Sequence, residues 1–233
     1  MADSDAVVDP IEAVAARMEA IAEPLPENDG VARFNELYLA VTRAVMAETK
    51  ADTYEDPAFI SRLDVIFADL YFEAIAADGE GKELPKAWAP LFEKRHGKGI
   101  APLQFAIAGM NAHINHDLAV ALVEVCDEQD VGFGHDTPQY RDYLVVNKTL
   151  ERVEGEIKAR YTQGVLGDIE RAMGTLDDVL ANWSVARARD NAWVTAQTIH
   201  VLRDKSFLFK QFMLGLGRNV GFAGRSLLVR TEM

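Results

Sequence analysis

The segment Phe105 to Val125 reads FAIAGMNAHINHDLAVALVEV, an almost continuous apolar run broken by five polar residues between Asn111 and Asp117. Its apolar positions point nearly all round a helix, the pattern of a helix buried on every side. At about 100° per residue, His113, His116, Asp117 and Glu124 share one stripe beside Gly109, while Asn111 and Asn115 lie on the other side. Two histidines, a carboxylate and two amides among Ile107, Met110, Ile114, Leu118 and Leu122 cost several kcal/mol unless each finds a partner. The stretch therefore marks either a site or a fully satisfied polar network.

The flanking sequence supplies further helices. Asp9 and Pro10 open one that runs to Glu23, and a linker through Pro24, Pro26 and Gly30 follows. From Val31 to Lys50, Phe34, Leu37, Tyr38, Val41 and Val45 recur at helical spacing. Asp56-Pro57 begins a helix that extends to about Ala77 through Phe59, Leu63, Phe67, Leu70, Tyr71 and Ile75. On it, Asp69 and Glu73 stack four apart between aromatic residues, as half of a metal site, an acid with a raised pKa or a salt-bridged pair. A short helix spans Leu84 to Arg95, with Glu93 and His96 at its exposed end.

Beyond the polar loop from Asp127 to Pro138, a helix from Gln139 to Arg160 carries Asn147 within its apolar stripe. Two more cover Asp168 to Leu180 and Asn182 to Asp204. On the last, Asp190, Trp193, Gln197, His200 and Asp204 fall on one face, with Arg189 adjoining. Residues 205–233 form an apolar and locally basic tail in which Gly215, Gly217, Gly221 and Gly224 argue against helix beyond Leu214. Strand-like alternation is scarce. The expectation is a single all-α, bundle-like domain over residues 1–233, with residues 1–30 as an N-terminal helix and linker and residues 105–125 at its centre.

A chain of 233 residues with 49% hydrophobic content is long enough to bury one sizeable core. The formal net charge of -13 opposes attraction to nucleic acid or anionic membrane, so no nucleic-acid partner is expected. The single cysteine, Cys126, can form no internal disulfide and no thiolate metal cage, and reads as a buried thiol in a reducing compartment. The first twenty residues are acidic and lack a secretion signal, and no apolar window is long enough to span a bilayer. These features predict a cytoplasmic protein.

Acid–base chemistry needs an imidazole that titrates near neutrality beside a carboxylate that orients it, and His113, His116 and Asp117 are the catalytic candidates. Asn111, Asn115, Asp69, Glu73, Asn147, Arg189 and Trp193 are candidates to line a ligand site. His113 and Asp117 are also the candidate ligands of a divalent metal such as zinc or iron, with His200 as a remote third. Against a metal, the rings of His113 and His116 diverge by about 60° around the axis. No HExxH pair and no phosphate-cradling glycine loop is present. Two readings stay open: an enzyme doing acid–base or metal-assisted chemistry on a small molecule, or a non-catalytic ligand- or partner-binding protein whose polar cluster fixes helix register.

The run Gly109 to Leu118, GMNAHINHDL, resembles the signature of a bacterial and fungal family of helical proteins of unknown function. Asn35 to Leu39 (NELYL), Phe67 to Phe72 (FADLYF) and Arg189 to Trp193 (RDNAW) are similar to other parts of it, so the resemblance covers about residues 30 to 200. It implies a helical fold and marks positions, and it brings no activity with it.

Overall fold

The computed structural model describes residues 9–163 and 184–230, with the backbone alone over 154–163. The expected helix from Asp168 to Leu180 lies outside the described residues. The fold is all-α, and no strand occurs among the described residues. Helices α1 (Pro10–Ala22), α2 (Gly30–Lys50) and α3 (Pro57–Gly79) each start behind an aspartate. The side chains of Asp9, Asp29 and Asp56 accept hydrogen bonds from the backbone N–H of Ile11, Val31 and Phe59 at 2.9, 2.8 and 3.0 Å. Each satisfies a donor that the helix start would leave unpaired.

Helix α4 (Ala89–Lys94) is shorter than the pattern from Leu84 suggests. Pro90 has no N–H to give and fits only the first turn of a helix, so the chain before it forms turns closed by the Pro85 carbonyl. The central segment is not one uniform helix. It consists of α5 (Pro102–Ala112), a π-helical turn (His113–Asp117) and α6 (Leu118–Glu128). The Leu118 N–H bonds the His113 carbonyl, a step of five residues in place of four. One extra residue in the turn shifts α6 by about 100° relative to a continuous α-helix. For that reason Glu124, which the uniform wheel puts with His113, is exposed.

Helices α7 (Pro138–Gln163), α8 (Val185–Leu202) and α9 (Ser206–Leu227) complete the fold. Helix α5 packs on α2 and α9, α6 packs on α3 and α8, and the π turn touches α3, α8 and α9. The central segment is thus enclosed, as its apolar composition requires. Close approach has a sequence cause: a Cβ on Gly109 would stand 2.3 Å from the Phe34 ring, so only glycine lets α2 lie this close to α5.

The C-terminal helix corrects the expectation of a tail that loses helix after Leu214. Gly217, Gly221 and Gly224 are buried and lie at spacings of four and three, on one face of α9. That face meets Lys86, Pro90 and Asn111, and a Cβ on Gly221 would come within 2.3 Å of the Lys86 carbonyl oxygen. Packing on this face offsets the low helix propensity of glycine. Gln104 Nε2 donates to the carbonyls of Leu227 and Val229 at 2.8 and 3.0 Å and ties down the helix end. The outer face leaves Phe207 and Phe222 exposed.

Two large apolar clusters form the core. Phe34, Tyr71 and Trp88 belong to one, Leu118, Tyr143 and Trp193 to the other, and Phe67 and Met110 pack against both. Cys126 is buried, and burial pushes its thiol up to about 12. No helix among the described residues is long and apolar enough to cross a membrane.

Candidate functional site

The π turn gathers the polar residues of the central segment around one carboxylate. Asp117 Oδ2 accepts from Trp88 Nε1 at 2.7 Å and lies 3.1 Å from His113 Nδ1, and Oδ1 lies 2.8 Å from His116 Nδ1. Because an ionised carboxylate only accepts, this network assigns the proton of each ring to Nδ1. Burial alone would raise the Asp117 carboxyl, but the hydrogen bonds and charges of His113 and His116 together hold it below its ordinary value. Asp117 is therefore ionised, with both oxygens engaged.

His113 is 2% exposed and its ring is fixed by packing. It stacks on Phe67 with centroids 3.5 Å apart and planes 6° from parallel, and Tyr38 meets it edge-on at 4.5 Å. Burial lowers its pKa, and the pull of Asp117 in the opposite direction does not cancel that. The imidazole is neutral, with its proton on Nδ1. Its Nε2 is buried and has no hydrogen-bond partner among the described residues.

Nε2 has a setting that gives this meaning. His113 lines a largely apolar cavity, part of it open to solvent, the kind of lining that small-molecule sites have. Leu37, Val41 and Val45 of α2 and Ile60 and Leu63 of α3 form two of its walls. Ile114 and Leu118 form a third, and Val146 and Leu150 of α7 a fourth. Four polar side chains interrupt this lining: His113, Tyr38, Asp64 and Arg189. The Tyr38 hydroxyl and Asp64 Oδ2 are, like His113 Nε2, buried without a partner among the described residues. Buried polar atoms are nearly always paired, so three orphans on one cavity are a marked concentration.

Burial pushes the Asp64 carboxyl up to about 7, with a smaller push from the charge of Asp9. Burial also raises the Tyr38 hydroxyl, helped by the charges of Asp64 and Asp117. At neutral pH the cavity thus holds an unprotonated imidazole nitrogen, a carboxyl divided between its two forms and a protonated phenol.

Asp64 and Trp88 are absent from the residues that the sequence singles out. Ile60, Asp64, Phe67 and Tyr71 step by four, three and four along α3, so Asp64 breaks an apolar face just as His113 does. That signal was available. Trp88 reaches Asp117 across 29 positions, and no local pattern announces such a contact.

Of the other candidates, Arg189 also lines this cavity, and the rest lie elsewhere. Asp69 and Glu73 are exposed, and Asp69 pairs with Arg17 at 3.4 Å. Asn111 Nδ2 donates to the Val220 carbonyl at 2.9 Å and Asn115 Nδ2 to Asn111 Oδ1 at 3.1 Å, so this pair ties the central segment to α9. Asn147 accepts from Arg189 Nε at 2.6 Å, and it holds the arginine that lines the cavity. Trp193 is buried against Tyr140, Tyr143 and Phe133. His200 lies beside Arg203 and 3.4 Å from Asp127. Among the described residues no three His, Cys, Asp or Glu side chains are placed to hold a metal ion together. The Nδ1 atoms of His113 and His116 are taken up by Asp117, and His200 stands with different partners.

Fold and site define an all-α protein whose central segment sets a histidine, held from behind by a carboxylate, in the wall of a largely apolar cavity. The chain belongs to the family of unknown function DUF5995, whose model matches residues 11–230. No curated protein and no solved structure matches it.

Proposed function

We propose that the chain is an enzyme that performs acid–base chemistry on a small, largely apolar molecule held in the cavity. His113 is the general base and Asp117 the residue that orients it. The observation that carries this reading is the difference between the two nitrogens of one ring. Nδ1 is fixed by a carboxylate that two further donors hold in place, while Nε2 is unprotonated and has no partner among the described residues, on a side chain that lines the cavity. A histidine kept only for packing would have both nitrogens satisfied.

In this reading Nε2 takes a proton from the bound molecule, and the imidazolium that forms is stabilised by the negative charge of Asp117. Asp64, with its carboxyl near 7, holds a proton that it can return to the molecule. The Tyr38 hydroxyl is free to donate a hydrogen bond to charge that develops between them. Trp88 and His116 act through Asp117 and are positioning residues.

The first test needs no substrate. Long-range proton–nitrogen NMR of the histidine rings should find His113 neutral and protonated on Nδ1 at pH 7; a ring protonated on Nε2 would overturn the assignment. The second pairs the wild type with His113→Gln across a panel of small ketones, esters and lactones. Turnover of any compound by the wild type should fall by about 100-fold or more in the variant, with helix content unchanged by circular dichroism. Equal turnover by both proteins would remove His113 from the chemistry, and a ligand bound but never turned over would make the cavity a carrier site.

A further inference from the structure

Arg189 is a charged side chain of the cavity that the acid–base reading leaves unused. It is 5% exposed. Its Nε donates to Asn147 Oδ1 at 2.6 Å and its Nη2 to the Tyr143 carbonyl at 2.9 Å. The guanidinium carbon stands 4.0 Å over the Tyr143 ring, and the Tyr143 hydroxyl donates back to the Arg189 carbonyl at 2.6 Å. All of these partners are neutral. Among the described residues no carboxylate lies within ion-pair distance of the guanidinium. A guanidinium has five N–H donors, and these hydrogen bonds engage only Nε and Nη2. Burial lowers its pKa, yet arginine remains charged at any ordinary pH. The charge of Asp190 acts on the guanidinium but does not offset its burial, and a buried cation with no carboxylate at ion-pair distance among the described residues is costly, so Arg189 is primed for an anion.

Position adds to this. Arg189 and His113 line the same cavity, but their surroundings share no residue: Tyr143 and Asn147 frame the first, Phe67 and Tyr38 the second. The rest of the lining is mostly aliphatic, with Val41, Val45, Ile60, Leu63, Val146 and Leu150 among it.

We infer that the molecule bound in the cavity is a monocarboxylic acid with an apolar body. Its carboxylate lies on Arg189 and its far end meets His113 Nε2. This rests on the reading of the cavity as a ligand site and adds the chemical class. Planar two-pronged recognition suits a carboxylate on a guanidinium. A phosphate monoester, with close to two charges, would need a second cation. The other polar side chains of the lining, His113, Tyr38 and Asp64, supply none at neutral pH.

The test is calorimetric titration of the whole chain at pH 7 with octanoate, 1-octanol and octylammonium, whose tails are alike and whose heads are anionic, neutral and cationic. Octanoate should bind at least tenfold more tightly than either of the others. Arg189→Met should weaken octanoate at least tenfold and leave 1-octanol within about twofold. Should that variant not fold, Arg189→Lys keeps the charge without the planar fork, and octanoate should weaken several-fold while still exceeding 1-octanol. Equal binding of octanoate and 1-octanol by the wild type would overturn the carboxylate assignment and leave the cavity as a ligand site. Binding of none of the three would overturn both.

Discussion

Asp64 is the residue whose substitution separates stability from function most cleanly. Its carboxyl is raised in the folded protein from 3.8 to about 7. A raised folded value means that the residue favours the fold fully below 3.8, and that this contribution is lost as pH rises towards 7. Asp64→Asn should therefore match the wild type near pH 4 and exceed it progressively up to about pH 7, by at most about 4 kcal/mol. Urea unfolding at a series of pH values reads this, and a constant difference across the series would contradict it. His113 acts in the opposite direction, because a lowered folded value is favourable above its unfolded value of 6.5 and lost as pH falls through the folded one. The two together predict a bell-shaped pH profile for any activity. His113 and Asp117 were legible in the sequence because charge and imidazole stand out in an apolar helix, and four-residue spacing put them in reach. Asp64 carries the same signal on α3, but Asp69 and Glu73 sit beside the same aromatics with a carboxylate pair's spacing, and they are exposed.

Among elements, the contact between α9 and the chain before α4 has the least room. Gly221→Ala would drive a methyl to 2.3 Å from a backbone oxygen, which cannot turn aside as a side-chain tip can. We expect a loss of about 1 to 3 kcal/mol in urea unfolding, with Gly215→Ala, which meets nothing within 4 Å, neutral or stabilising through its higher helix propensity. Equal effects at both sites would show that α9 can shift as a unit. The starts of α1 and α3 could be read because their aspartate–proline openings are local chemistry, and that of α2 to within about a residue from its apolar spacing, with its cap Asp29 read as linker. Helix α9 could not, since glycine disfavours helix locally and its compensation comes from Lys86 and Pro90, far away in sequence. The π turn was hidden for a related reason. A wheel drawn at constant pitch has no place for an added residue, and so it put Glu124 inside.

In the molecule as a whole, the cavity lies among helices that are distant in sequence: its lining comes from α2, α3, the central segment, α7 and α8. Each helix has its own packing on one core cluster or the other, while Phe67 and Met110 bridge both. A molecule lodged there touches all of these walls at once and binds only when they are assembled. It therefore stabilises them jointly by mass action. Local opening of a single helix becomes less frequent in proportion to occupancy, which amide hydrogen exchange records helix by helix. With octanoate near saturation, exchange in α2, α3 and α8 should slow by a common factor, while α1, which supplies no residue to the lining, should change less. Slowing confined to α8 would mean that Arg189 captures the anion without the rest of the cavity. Uniform slowing would make the ligand a cross-brace, holding together from within a set of helices that no covalent link joins except the chain itself.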